Sequence, residues 1–293
     1  MRWYFQIRAA QPERSPSRML QVLETQRILP LRFEAWRCLD DMHLRFLVET
    51  HEAEAYRIGW LLRRLPVVTS AYWLQVDDDE DEQQLWHCTA LAARTAVESG
   101  VNLDPHSDWW NAAPSVTLLV DNTGLRVPEH DTDVRLQWTD NNLYLLFVCG
   151  YQHLSLAPEE PLHHLPTQNL WEHDVAEVFL GRDREPFRQY MEFEVSPRGE
   201  WIDLNITAED GIVSHREPLY SGFQVAARVD RLRKRWTAFL RIPRPADSGN
   251  GVDLRLNLFR SQGPGPIELA WQPTYQDSFH VPKRMGYLRQ IES

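Results

Sequence analysis

Trp3, Phe5 and Ile7 alternate with polar neighbours at the two-residue period of a strand. From Ser15 the period lengthens. Met19, Leu20, Leu23 and Ile28 share one helical stripe, and Ser15-Pro16 supplies an N-cap with proline at the first helical position. Alternation returns at Leu31, Phe33 and Ala35 and again at Leu44, Phe46 and Val48, with Asp40-Asp41 as the turn between them. A second helix is expected from Glu52 to Leu65, burying Tyr56, Trp60 and Leu61, and Val67 to Leu74 closes as a strand. The order βαββαβ predicts a small ferredoxin-like α+β domain with both helices on one sheet face.

Beyond residue 85 the two-residue period dominates. Val134, Leu136 and Trp138 alternate, Asp140-Asn141-Asn142 turns the chain, and Leu143, Leu145 and Phe147 alternate back as a hairpin. Met191, Phe193 and Val195 precede the turn Ser196-Pro197-Arg198-Gly199, and Ile202, Leu204 and Ile206 follow it. Phe223, Val225, Ala227 and Val229 face Trp236, Ala238, Leu240 and Ile242 across the charged turn Asp230–Arg235, and Val252, Leu254, Leu256 and Leu258 form a further strand. This spacing predicts a mainly β chain whose larger part is an antiparallel β-sandwich.

Charge then divides the chain. Residues 1–75 hold 11 Arg against 8 acids, whereas the remainder carries 20 basic and 34 acidic residues. The strongly acidic part excludes nucleic acid as its partner. No apolar run reaches the ~18–20 residues of a membrane span, so no membrane partner is expected. The segment Met1–Ser15 lacks the apolar core of a secretory signal, and a cytoplasmic location is expected. Cys38, Cys88 and Cys149 are too far apart for a CxxC pair, which argues against a disulfide framework or a cysteine zinc site. The run Asp77-Asp78-Asp79-Glu80-Asp81-Glu82 reads as a solvated acidic linker over 77–84, with a calcium site as the sharper alternative. Domains are thus expected at 1–76 and 85–293.

The βαββαβ order, with Ile58-Gly59-Trp60-Leu61-Leu62-Arg63-Arg64-Leu65-Pro66-Val67-Val68, resembles the ACT domain over residues 1–76. That family places a glycine or Asx at its first strand-to-helix turn to approach an effector. Here the turn reads Ala9-Ala10-Gln11-Pro12-Glu13-Arg14, so regulation or homo-oligomeric assembly through an edge or helix face is expected instead.

Residues 85–293 resemble the carbohydrate-binding family 9-like domain, a sandwich related to the DOMON group. Five segments carry the resemblance. They are Val101-Asn102-Leu103-Asp104 through Trp110-Asn111; Thr132-Asp133-Val134-Arg135-Leu136 with Leu143-Tyr144; and Leu170-Trp171-Glu172-His173-Asp174-Val175-Ala176-Glu177-Val178-Phe179-Leu180. Tyr190-Met191-Glu192-Phe193-Glu194-Val195-Ser196-Pro197-Arg198-Gly199 is the fourth, and Asn257 to Arg260 with Trp271-Gln272-Pro273-Thr274, Phe279-His280 and Gly286 the last. The resemblance implies non-catalytic binding of a saccharide or similar polar ligand. Trp171 and Trp271 would clamp the sugar, Glu177 would accept its hydroxyls and Arg198 would donate to them. An indole covers the C–H face of a pyranose, while charged groups bind its rim. Where sugar-binding members have an amide, this chain has Glu268.

Competing expectations attach to the same residues. Trp138 and Trp236 lie in core registers, and Asn257 and Arg260 read as structural. Glu177 could be a buried acid paired with Arg260 or Arg198. Glu192 and Glu194, with Glu177, would be the carboxylates of a glycoside-acting hydrolase, but read as solvated or salt-bridged strand residues, so no catalytic residue is assigned. His163-His164, His173, His215 and His280 raise haem, without a CxxCH to support it. No cofactor and no metal ligand are assigned. The sandwich could also serve as an assembly element without sugar binding.

Overall fold

The computed structural model describes residues 1–158, 160–184, 186–244, 254–262 and 267–292. The expected strand position Val252 and the loop context Gly263–Pro266 lie outside the described residues. The chain forms two compact units, one of residues 1–88 and 106–115, the other of 89–105 and 116–293.

In the first unit β1 (Arg2–Ala9), α1 (Ser15–Thr25), β2 (Arg32–Cys38), β3 (Asp41–Glu49), α2 (Glu52–Arg63) and β4 (Val68–Val76) follow the ferredoxin-like order. All pairings are antiparallel, in the sheet order β2-β3-β1-β4. Alternation on the strands sends Phe5, Ile7, Leu44, Phe46 and Val48 against Met19 and Leu23 of α1 and Ala55, Ile58 and Leu62 of α2. Two local expectations change. Ser15 is the first helical residue and not the cap; its buried hydroxyl donates to the Gln11 carbonyl. The buried stripe of α2 is Ala55, Ile58, Gly59 and Leu62, leaving Tyr56 and Trp60 46% and 56% exposed.

The acidic run is helical. Asp79–His87 forms α3, capped by Asp78, whose carboxylate accepts from the Asp81 amide at 2.8 Å. Four acids in a first turn are favourable at the positive end of the helix dipole, and Arg2 pairs with both Asp79 and Glu82. The second sheet face of this unit is covered by Trp86 of α3, whose ring meets Tyr4 edge-on, and by residues 106–115, which include the short helix α4 (Asp108–Asn111).

The second unit contains β5 (Thr89–Arg94), β6 (Ser115–Leu118), β7 (Thr132–Trp138), β8 (Asn142–Gly150), β9 (Val175–Arg182), β10 (Gln189–Val195), β11 (Trp201–Glu209), β12 (Ile212–Pro218), β13 (Gln224–Asp230), β14 (Arg235–Pro243), β15 (Leu254–Gln262), β16 (Ile267–Ala270) and β17 (Gly286–Ile291). The main sheet order is β12-β11-β10-β9-β15-β17-β5-β7-β8-β14-β13. The expected hairpins are present, Val134 opposite Phe147 and Val229 opposite Trp236. Along this order pairing is antiparallel except where β5 lies parallel to β17 and β7. Leu136, Trp138, Leu145 and Trp236 from one half meet Val178, Leu180, Phe193 and Leu256 from the other in a single inner core. Trp138 and Trp236 are both buried there.

Candidate functional site

Strand alternation gives β9 and β10 two different faces. Ala176, Val178, Leu180, Phe193 and Val195 enter the inner core. Val175, Phe179 and Tyr190 join a separate outer cluster with Leu170, Ile202, Leu204, Phe259 and Ala270. Glu177, Glu192 and Glu194 stand at the positions between, on that outer side. Glu177 pairs with Glu194 on one flank and Phe259 on the other, and Glu192 with Phe179 and Leu204.

These three carboxyls are 3%, 2% and 0% exposed, too little for water to solvate a charge. One Glu192 oxygen and both Glu194 oxygens have no hydrogen-bond donor. Burial raises the pKa of all three. Glu192 and Glu268 add repulsion at Glu177, and Glu192 and Glu177 add it at Glu194. The interaction between Glu192 and Glu194 lowers the pKa of the first and raises that of the second, so Glu194 is the one held neutral. Solvation or ion pairing, the expectation for Glu192 and Glu194, is therefore corrected: both are buried, Glu192 between Phe179 and Leu204 and Glu194 between Glu177 and Ile202. Nor does Glu177 pair with Arg260 or Arg198. Arg260 is buried and donates to the His130 and Gly150 carbonyls, while Arg198 donates to the Glu200 carboxylate and, at 2.9 Å, to the Ala157 carbonyl.

One cation acts on all three acids. Arg216, on the exposed edge strand β12, lowers the pKa of each. Its guanidinium carbon lies 4.2 Å from the centre of the Trp171 ring, in cation–π geometry. Its Nη2 is 3.3 Å from His280 Nε2. Arginine only donates, so Nε2 accepts and Nδ1 carries the proton, donating it to the Tyr190 hydroxyl at 2.6 Å. Burial, aided by Arg216, holds the His280 pKa down at about 4, and the ring stacks on Phe179. His280 is thus a neutral, engaged imidazole. Among the described residues no group of three or more His, Cys, Asp or Glu is placed to hold a metal.

Trp171 sits in a short 3-10 turn, Leu170–Glu172, entered through Asn169 at φ 57°, and is half-buried against the outer cluster. Leu170 beneath it is fully buried. Trp271 follows β16 and is half-buried against the inner core, its amide donating to the Leu258 carbonyl. Asn257 fixes the next residue, bonding the Gln272 carbonyl at 2.9 Å and its amide at 3.1 Å. The fold therefore brings Trp171 and Glu177 to one outer-face assembly and rests Trp271 on a different cluster.

Arg216, Glu192, Glu194 and Tyr190 complete that assembly without having been read as ligand groups in the sequence. The one available signal was Tyr190-x-Glu192-x-Glu194, which puts an aromatic and two acids on one strand face. Arg216 lies in a polar edge strand and gave none.

No known family profile matches the chain. A protein of Arthroderma benhamiae named "Extracellular protein" is 25% identical over 215 residues, covering 66% of this chain and 94% of that one. Among solved structures, a Bacteroides uniformis protein provisionally described as carbohydrate-binding aligns with TM-score 0.56 at 15% identity, over 70% of this chain and 99% of its own. Family 9 carbohydrate-binding module structures of Caldicellulosiruptor kristjanssonii, in complex with cellotriose and with glucose, each align with TM-score 0.53. The cellotriose complex is 12% identical and the glucose complex 11%, each over 70% of this chain and 94% and 96% of theirs. The β-sandwich has the fold of the family 9 carbohydrate-binding modules.

Proposed function

We propose that the sandwich binds a saccharide on its outer face, with Trp171 as the stacking platform and Glu177 as the acceptor of sugar hydroxyls. One observation carries this reading: on the outer face where Arg216 lies over the half-buried Trp171 ring and acts on Glu177, oxygens of Glu192 and Glu194 are buried without donors, and a sugar supplies both an apolar face and hydroxyl donors. The likeness in fold to modules solved with cellotriose and glucose supports it. In this proposal Trp271 is the second ring, and Arg198 acts by holding the Ala157 loop. The ferredoxin-like unit serves assembly or regulation, and its contribution is tested by the mass of the full chain in solution.

Calorimetry of the full chain with glucose, cellotriose and a panel of array-selected glycans tests the proposal. A dissociation constant between about 10 μM and 1 mM is expected after association costs. Trp171→Ala removes an indole face worth about 1.5–3 kcal/mol and weakens binding ~10- to 100-fold. Heat from none of the sugars leaves the sandwich as an assembly element. The raised pKa of Glu177 beside other carboxyls favours one second reading, a general acid in glycoside hydrolysis. Release from chromogenic glycosides that disappears in Glu177→Gln would establish it.

A further inference from the structure

Within the outer-face site, the chain's own side chain on the indole is a cation. Arg216 reaches from an exposed edge strand to lie 4.2 Å over Trp171, and its field falls on Glu177, Glu192 and Glu194. Both Glu194 oxygens and one Glu192 oxygen are buried and have no donor. Glu268 stands close enough to Glu177 to repel it. Three buried acids that share the field of the one guanidinium lying on Trp171 make an unusual place for a neutral ligand. Hydroxyls can donate to carboxyls but cannot offset their charge once they ionise. An ammonium group does both, with three N–H donors and a positive charge, and it is attracted to the same indole face. Arg216 is long, flexible and rooted on a solvent-facing strand, so it can leave the ring at small cost.

We infer that the site selects amino sugars, with Arg216 occupying it as an internal substitute for the ammonium group of the ligand. The inference rests on the saccharide reading above and names its ligand class. In the complex the ligand amine points at the Glu192–Glu194 pair, its pyranose face covers Trp171, and the Arg216 guanidinium turns outward.

The test is calorimetry of the full chain at about pH 6.5, where a sugar amine is largely protonated. Three trisaccharides of equal length are compared: the glucosamine trimer, its N-acetylated form and cellotriose. The glucosamine trimer is expected to bind at least ten-fold tighter than either neutral trimer. Arg216→Ala, or Arg216→Gln should the alanine variant melt early, removes the internal competitor and tightens glucosamine binding several-fold more. Glu194→Gln is expected to bring the affinities for the glucosamine trimer and cellotriose to within about two-fold of each other, whatever it does to cellotriose binding itself. Measurable cellotriose binding as tight as that of the glucosamine trimer overturns the amino-sugar inference and leaves the saccharide reading standing. An absence of binding by all three, and by a wider glycan panel, removes both.

Discussion

Glu194 poses the sharpest residue-scale problem, a carboxyl with no exposed surface and no donor on either oxygen. Such a group folds readily only when neutral. Its pKa is raised in the folded protein, so the folded state holds protons that the unfolded state releases as pH rises above about 4.5. Stability from this source is complete at low pH and declines above that value. Glu194→Gln is therefore expected to melt like the parent at pH 4 and to be more stable by about 1–3 kcal/mol at pH 8. Urea titrations at the two pH values check this; equal stability at pH 8 would mean the carboxyl has found a partner. His280 titrates with the opposite sign. Its pKa is depressed from 6.5 to about 4, so the stability tied to its neutral form is present above 6.5 and lost as pH falls toward 4. Its imidazole proton resonance should show a midpoint near 4, shifting upward in Arg216→Ala because Arg216 is one of the two causes of the depression.

At the scale of elements, α2 separates what side-chain size suggests from what geometry requires. Tyr56 and Trp60 are its largest apolar residues, yet neither is buried. The helix approaches its sheet through Gly59, where an added Cβ would overlap the Trp73 ring. Tyr56 and Trp60 flank that ring edge-on at 5.8 and 6.1 Å, and Arg63 lies over it at 4.6 Å. Gly59→Ala would gain ~1 kcal/mol in an isolated helix. Here the clash should reverse the sign and cost about 1–3 kcal/mol. Adding Trp73→Leu should restore much of that loss, so a double-mutant cycle in urea reads the coupling directly. Legibility follows the same physics. Strands such as Val134–Trp138 and Trp236–Ile242 were readable because one face meets a core and strict alternation marks it. The phase of α2 was not, since it depends on a tryptophan that follows the helix in sequence. The acidic run was unreadable as helix because repulsion counts against packing, while capping and the helix dipole act only once the turn exists. Glu192 and Glu194 looked solvent-facing because the outer cluster on their side of the sheet draws Phe259, Phe279 and Met285 from remote parts of the sequence.

At the scale of the molecule, the first unit is not a single stretch of chain. Residues 106–115 belong to it, and Arg8 shows why. This arginine is 2% exposed, and its Nη2 donates to the carbonyls of Trp110 at 2.8 Å, Asn111 at 2.8 Å and Ala113 at 3.2 Å. Tyr72 adds a hydroxyl bond to Ala112. A boundary placed at the acidic run, near residue 77, severs all of these. Hydrogen bonds from a charged group are worth about 1.5–3 kcal/mol each where they compete with water, and removing residues 106–115 takes three of them from the buried Arg8 guanidinium. A fragment of residues 1–88 should therefore exchange the amides of Trp3 to Ile7 at least 100-fold faster than the full chain does. A synthetic peptide of residues 104–116 added in excess should recover part of that protection through mass action. Equal protection in fragment and full chain would show that residues 106–115 only decorate the sheet. In that case the three carbonyl contacts of Arg8 would contribute little to holding the first sheet together.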